Sequence, residues 1–155
     1  MLRLLLIVAS ALSANAPTTK PAAPPVIVRV QRVDVGKQKL DLKARGLPAD
    51  AKVLDTIETL AVPGSNYRCA ATAGSETREL AGSIRAVTDC NGQDQGYQLQ
   101  IDFSRRSTWG VQQAKTSLML KADDPAFPFL GLYDQKGNPQ GDIFFLSLVS
   151  EPAKK

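Results

Sequence analysis

The sequence predicts an all-β domain: a small antiparallel β-sandwich, or a barrel, of about eight or nine short strands. Three observations predict it. Apolar residues recur mainly with period two rather than with the helical period of about 3.6. Turn signals punctuate the chain at short intervals, among them Gly36-Lys37, Pro63-Gly64, Asn91-Gly92 and Asp124-Pro125. One segment is a clean two-faced strand, with Tyr97, Leu99, Ile101 and Phe103 on one side and Gln98, Gln100, Asp102 and Ser104 on the other. Short alternating strands separated by turns are the pattern of sandwiches and small barrels.

In chain order, Val26, Val28 and Val30 alternate with Ile27, Arg29 and Gln31, and Val33 and Val35 then continue on the opposite phase. A switch of phase near Gln31-Arg32 predicts a β-bulge. After Gly36-Lys37, Leu40 and Leu42 alternate with charged residues, and Gly46-Leu47-Pro48 closes that segment. Residues 50–61 fit two elements. Val53, Ile57 and Leu60 match the spacing of one short helix with Asp50 as its N-cap, whereas Thr56, Ile57, Thr59 and Val62 favour a strand. The strand fits its neighbours better. Strands are expected over Tyr67–Ala73, Leu80–Asp89, Tyr97–Ser104 and Ala114–Lys121, with Arg105–Gly110 as a polar loop. The C-terminal region carries Phe127, Phe129, Leu130, Leu132 and Tyr133, a turn over Asp134–Asp142, and Ile143–Val149, a run apolar on both faces.

Ahead of this domain, Met1-Leu2-Arg3 supplies one positive charge, Leu4–Leu12 an apolar run, and Ser13-Ala14-Asn15-Ala16 small residues at a cleavage site. This order predicts a cleavable signal peptide over residues 1–16 and an exported protein, periplasmic or extracellular. The run is shorter than the roughly 20 residues that span a bilayer, so the mature chain is expected to carry no transmembrane segment. Residues 17–25 (PTTKPAAPP) read as a Pro/Ala-rich linker, residues 26–149 as the β-rich domain and residues 150–155 as a polar tail.

Composition bounds the function. Formal charge is +4 and dispersed, with no run of five or six like charges, so no nucleic-acid partner is expected. Histidine is absent, which excludes a Ser-His-Asp triad, a His-paired cysteine and a His zinc site. Nucleophile-elbow, Ser-x-x-Lys, dinucleotide and P-loop signatures are absent too. No catalytic residue, metal site or cofactor is therefore expected. Asp123-Asp124-Pro125 reads as a turn rather than an acid–base pair. Asp134, Asn138 and Asp142 offer oxygens as a calcium loop does, but Lys136 stands where that loop needs a ligand, so a hairpin turn suffices.

Asp134-Gln-Lys-Gly-Asn-Pro139 resembles the Asp-x-x-Gly-Asn-Pro turn of bacterial immunoglobulin-like domains, which implies a sandwich. Thr116–Pro125 resembles the strand and turn near the end of secretin cores, without the Gly-Gly that follows there.

Three groups of candidate residues remain. Cys69 and Cys90 are expected to form a structural disulfide, which in an exported chain would stabilise by roughly 3 kcal/mol. Arg105, Arg106 and Trp109 are candidates for a small ligand, a glycan or an anionic group, unless Trp109 folds back to cap the core. Phe127, Phe129, Phe144 and Leu146 form either a central hairpin or an edge hairpin that serves as an interface. The function expected from the whole is a non-enzymatic envelope protein that binds another envelope protein or itself. The alternatives are a ligand module using Arg105–Trp109 and, last, a carboxylate-based hydrolase.

Overall fold

The computed structural model describes residues 22–36, 40–41, 43–136 and 138–152. The expected signal peptide over 1–16 lies outside the described residues, as do most of the expected linker and the last residues of the tail.

Among the described residues eight strands form: β1 (Val26–Asp34), β2 (Lys52–Ala61), β3 (Asn66–Ala73), β4 (Glu76–Thr88), β5 (Asp94–Ser107), β6 (Gly110–Leu120), β7 (Phe127–Leu130) and β8 (Ile143–Ser150). They pair into two four-stranded antiparallel sheets, ordered β2-β1-β8-β7 and β3-β4-β5-β6. The sheets do not close on each other, so the fold is an open sandwich and not a barrel. Residues 52–61 are a strand, and no helix occurs among the described residues. The β-branched side chains of that stretch pair with β1, Ile57 opposite Val30.

Two-residue alternation builds the core. Val26, Val28, Val30 and Ile57 from the first sheet meet Leu80, Leu99, Ile101 and Phe103 from the second, and Phe144, Leu146 and Leu148 of β8 complete this inter-sheet cluster. Phe103 packs edge-on to Phe129, with ring centroids 5.7 Å apart. The register against β2 shifts between Arg32 and Val33, but the extra residue is Leu54 of β2; β1 runs in unbroken register against β8, so the bulge expected in the first strand near Gln31-Arg32 does not form and the side chains of β1 keep alternating. Val33 and Val35 join Ile143 and Phe145 in a second cluster on the other face of the first sheet, under Leu40, Ala51, Ala126 and Tyr133. Strand β8 is thus buried on both faces, which explains why apolar residues occupy both phases of it.

Three more expectations are corrected. Leu40 and Asp41 lie in irregular chain, with Leu40 packed against the second cluster, and Leu42 lies outside the described residues. Arg105–Gly110 is not a loop: β5 runs on to Ser107, and only Thr108 and Trp109 turn before β6 begins at Gly110. The disulfide is not made, and Cys69 and Cys90 are both free. Cys69 stands opposite Leu80 in the β3–β4 register, and Cys90 lies past the end of β4 at Thr88. At about 3.3 Å per residue the stretch from Leu80 to Thr88 alone is on the order of 25 Å, far beyond the roughly 7 Å that a bridge tolerates between Cα atoms.

Candidate functional site

Strands β5 and β6 form a long hairpin whose two chains stay in register from Tyr97 opposite Leu120 to Ser107 opposite Gly110. Gly110 takes a φ of +134°, which L-residues avoid, and this lets the chain reverse within two residues. Trp109 N–H donates to Ser107 Oγ at 3.3 Å and firms the turn. The side chain of Trp109 does not fold back: it is 96% exposed, on a chain that has no other tryptophan. Nearby, Arg106 is exposed and stands opposite Val111, itself 61% exposed. A fully hydrated indole held at a rigid tip is unusual, because tryptophan is on average highly buried.

Arg105, one residue before Arg106, points the other way, because successive strand residues alternate faces. Its guanidinium lies 5.9 Å from the centroid of the Phe144 ring and donates to Glu76 Oε2 at 2.7 Å. It belongs to a charge cluster that plugs this end of the sandwich. Arg32 Nε is 2.6 Å from Asp55 Oδ2, Arg32 Nη1 is 3.5 Å from Asp142 Oδ2, and Arg78 pairs with both Asp55 and Glu76. Arg78 is buried, and the other members are mostly covered. Three guanidinium groups thus meet three carboxylates between the sheets. Burial works against the Glu76 charge, but hydrogen bonding to Arg105 and the charges of Arg105, Arg32 and Arg78 outweigh it, so its carboxyl is held below the usual range. The unbroken alternation of β1 accounts for this charged end. Arg32 keeps the inward phase of Val28 and Val30, opposite Phe144, where the apolar cluster ends. The sequence reading missed the cluster; the phase switch at Arg32 was its only signal.

Other candidates dissolve into structure. Phe144 is 1% exposed and Leu146 0%, both inside the inter-sheet core, and Phe129 packs against it. Phe127 is half-buried opposite Leu146. Phe144 and Leu146 are not an exposed interface, because β8 is an interior strand covered on both faces, whereas Phe127 and Phe129 lie half-buried on β7, the outer strand of this sheet. Asp134 Oδ1 accepts from the backbone N–H groups of Lys136 and Asn138, each at 2.8 Å, and Asp142 faces Arg32, so the loop is a turn. Asp123 accepts from Ser150 N–H at 3.0 Å and Ser150 Oγ at 2.5 Å, while Asp124 pairs with Arg45 at 3.4 Å; the two carboxylates serve separate partners. Among the described residues no group of acidic or cysteine side chains converges as a metal site, and no helix is long and apolar enough to cross a membrane. Burial pushes the Cys69 thiol up, against a hydrogen bond from Thr59 that works to lower it, which disfavours the thiolate that redox chemistry needs.

The outer face of the second sheet carries a shallow hollow lined by Arg68, Gln100, Asp102 and Lys115 among others. Its charges are satisfied within the sheet, Lys115 by Asp102 at 2.8 Å and Arg68 by Glu79. Comparison with protein-family models, with curated proteins and with solved structures gives no match.

Proposed function

We propose that this is an exported, non-enzymatic β-sandwich protein of the cell envelope that acts by protein–protein contact or assembly. One observation carries the contact: Trp109, 96% exposed at the tip of the β5–β6 hairpin, beside exposed Arg106 and Val111. Tryptophan and arginine are the side chains that most often dominate protein interfaces, and burying an indole on a rigid hairpin loses little conformational entropy. The export half of the reading rests on the charge, apolar run and small residues of Met1–Ala16. The hairpin tip is the better-supported contact surface, since Phe144 and Leu146 lie in the core.

A ligand site built from Arg105, Arg106 and Trp109 is the less favoured reading. Arg105 is committed to Glu76 and to the Phe144 ring, which leaves only Arg106 and the indole facing solvent. Acid–base catalysis is less favoured still, because Glu76, Asp55 and Asp142 are all engaged by arginines.

The test is cross-linking of the wild type and Trp109→Ala in intact envelopes. The variant is expected to lose the cross-linked species with its melting temperature unchanged. Identical species from both proteins would sink the proposal.

A further inference from the structure

Strand β6 is the outer strand of its sheet, and among the described residues nothing pairs with its free edge. An edge of unpaired N–H and C=O groups invites another strand, and proteins usually guard it with proline, bulges, brevity or charge. The other outer strands are protected. β7 spans only Phe127–Leu130, contains Pro128 and breaks register before Leu130. β2 and β3 lie beside each other where the two sheets meet. β6 has none of these guards. It runs 11 residues (GVQQAKTSLML) in unbroken register, without proline. Its single charge, Lys115, is turned back onto Asp102 of the neighbouring strand at 2.8 Å.

The inner row of β6 is also incompletely covered. Leu99, Ile101 and Phe103 of β5 are at most 3% exposed, but Gln112, Ala114, Thr116 and Leu118 of β6 are only half-buried. The facing strand, β7, is too short to reach them all.

We infer that the β6 edge pairs antiparallel with the β6 edge of a second copy of this chain, on a two-fold axis at Thr116, joining the two β3-β4-β5-β6 sheets into one continuous sheet. The pattern of β6 is self-complementary in this register. An axis at Lys115 would set two lysines face to face, which destabilises an antiparallel pair. An axis at Thr116 sets Lys115 beside Ser117 and Thr116 beside Thr116. It also places Ala114 beside Leu118 and Gln112 beside Leu120, so the half-covered inner row meets its own apolar members. The Thr108–Trp109 turn then lies at the end of the pair nearest the turn that follows Leu120 in the second copy. The exposed indole and the bare edge become parts of one surface. This inference rests on the contact proposed above and names its partner.

The experiment is analytical ultracentrifugation of the purified protein from micromolar to millimolar concentration, read with the emission of the sole tryptophan, for wild type, Ser117→Lys and Ser117→Glu. Position 117 is exposed on the outer face, so neither substitution disturbs the core. The expected result is a concentration-dependent dimer with a blue shift of Trp109 emission. Ser117→Lys is expected to weaken it about tenfold by facing Lys115 of the second copy, and Ser117→Glu to tighten it. A monomer throughout, or a dimer indifferent to both substitutions, overturns the inference. Loss of cross-linked partners in Trp109→Ala by a protein that stays monomeric would remove the second copy and leave the hairpin contact standing.

Discussion

The guanidinium of Arg105 and the carboxylate of Glu76 meet at 2.7 Å between the two sheets, joining the end of β5 to the start of β4. The same carboxylate also receives Arg32 at 3.4 Å, which ties in β1 of the opposite sheet. Removing a single anion from such a covered group leaves cations without compensation. Glu76→Gln is therefore expected to cost about 3 kcal/mol of folding stability, measured by urea unfolding. A loss within experimental error would show that Asp55 and Asp142 suffice.

The same pair sets a pH dependence. The folded-state pKa of Glu76 is lowered, so its contribution is fully present above the unfolded carboxylate value of about 4.3. It is lost as pH falls below that value and through the lowered folded one. Melting temperature is expected to drop in this acid window, and the drop to be shallower in Glu76→Gln. Parallel curves for both proteins would place the acid sensitivity elsewhere.

Phe144 and Leu146 lie inside the inter-sheet core. Leu146→Ala is expected to destabilise by about 2–5 kcal/mol, and Phe144→Asp to prevent folding altogether. Circular dichroism of the two variants decides this. A folded Phe144→Asp protein would return these residues to the surface.

Gly82 allows the Tyr67 hydroxyl to pass over it and donate to Gln100 O at 3.0 Å. A Cβ at Gly82 would sit 1.9 Å from that same carbonyl oxygen and 2.7 Å from the Tyr67 hydroxyl. Gly82→Ala is expected to cost about 3 kcal/mol through overpacking, read from its unfolding midpoint. Tyr67→Phe Gly82→Ala would recover little, because the backbone clash remains.

Neither cysteine is bridged, so a reductant is expected to leave the melting temperature unchanged. A thiol reagent near neutral pH is expected to label exposed Cys90 quickly and half-buried Cys69 slowly, since burial raises the Cys69 pKa and lowers its thiolate fraction. Equal labelling rates would contradict the placement of Cys69 in β3.

Most of the fold was legible because solvent and core impose a two-residue rhythm. Tyr97–Phe103 and Val26–Val30 carried that rhythm plainly, and both are strands with the expected faces buried. The apolar run of Ile143–Val149 was equally informative, since burial on both faces follows directly from it. The hairpin at Thr108–Trp109 was hidden because Arg105, Arg106 and Gln112 look like loop residues until their partners are known. Arg105 is inward only because Glu76 waits there, 29 positions away in sequence. The Cys69–Cys90 pairing failed for a similar reason. Even parity argues for a bridge, but the register that carries Cys90 past Thr88 is a property of the sheet. The open β6 edge was invisible in the same way, because edge and centre strands share one alternation.

The first and last strands of the sandwich are hydrogen-bonded neighbours, Val26 opposite Ser150 and Val33 opposite Ile143. That pairing makes folding wait for the end of the chain. Until β8 arrives, β1 has only β2 beside it, and both apolar clusters lack their central members. Such long-range closure slows folding. On the export proposed above, a chain threaded N-terminus first would deliver β8 last, and the sandwich would close only then.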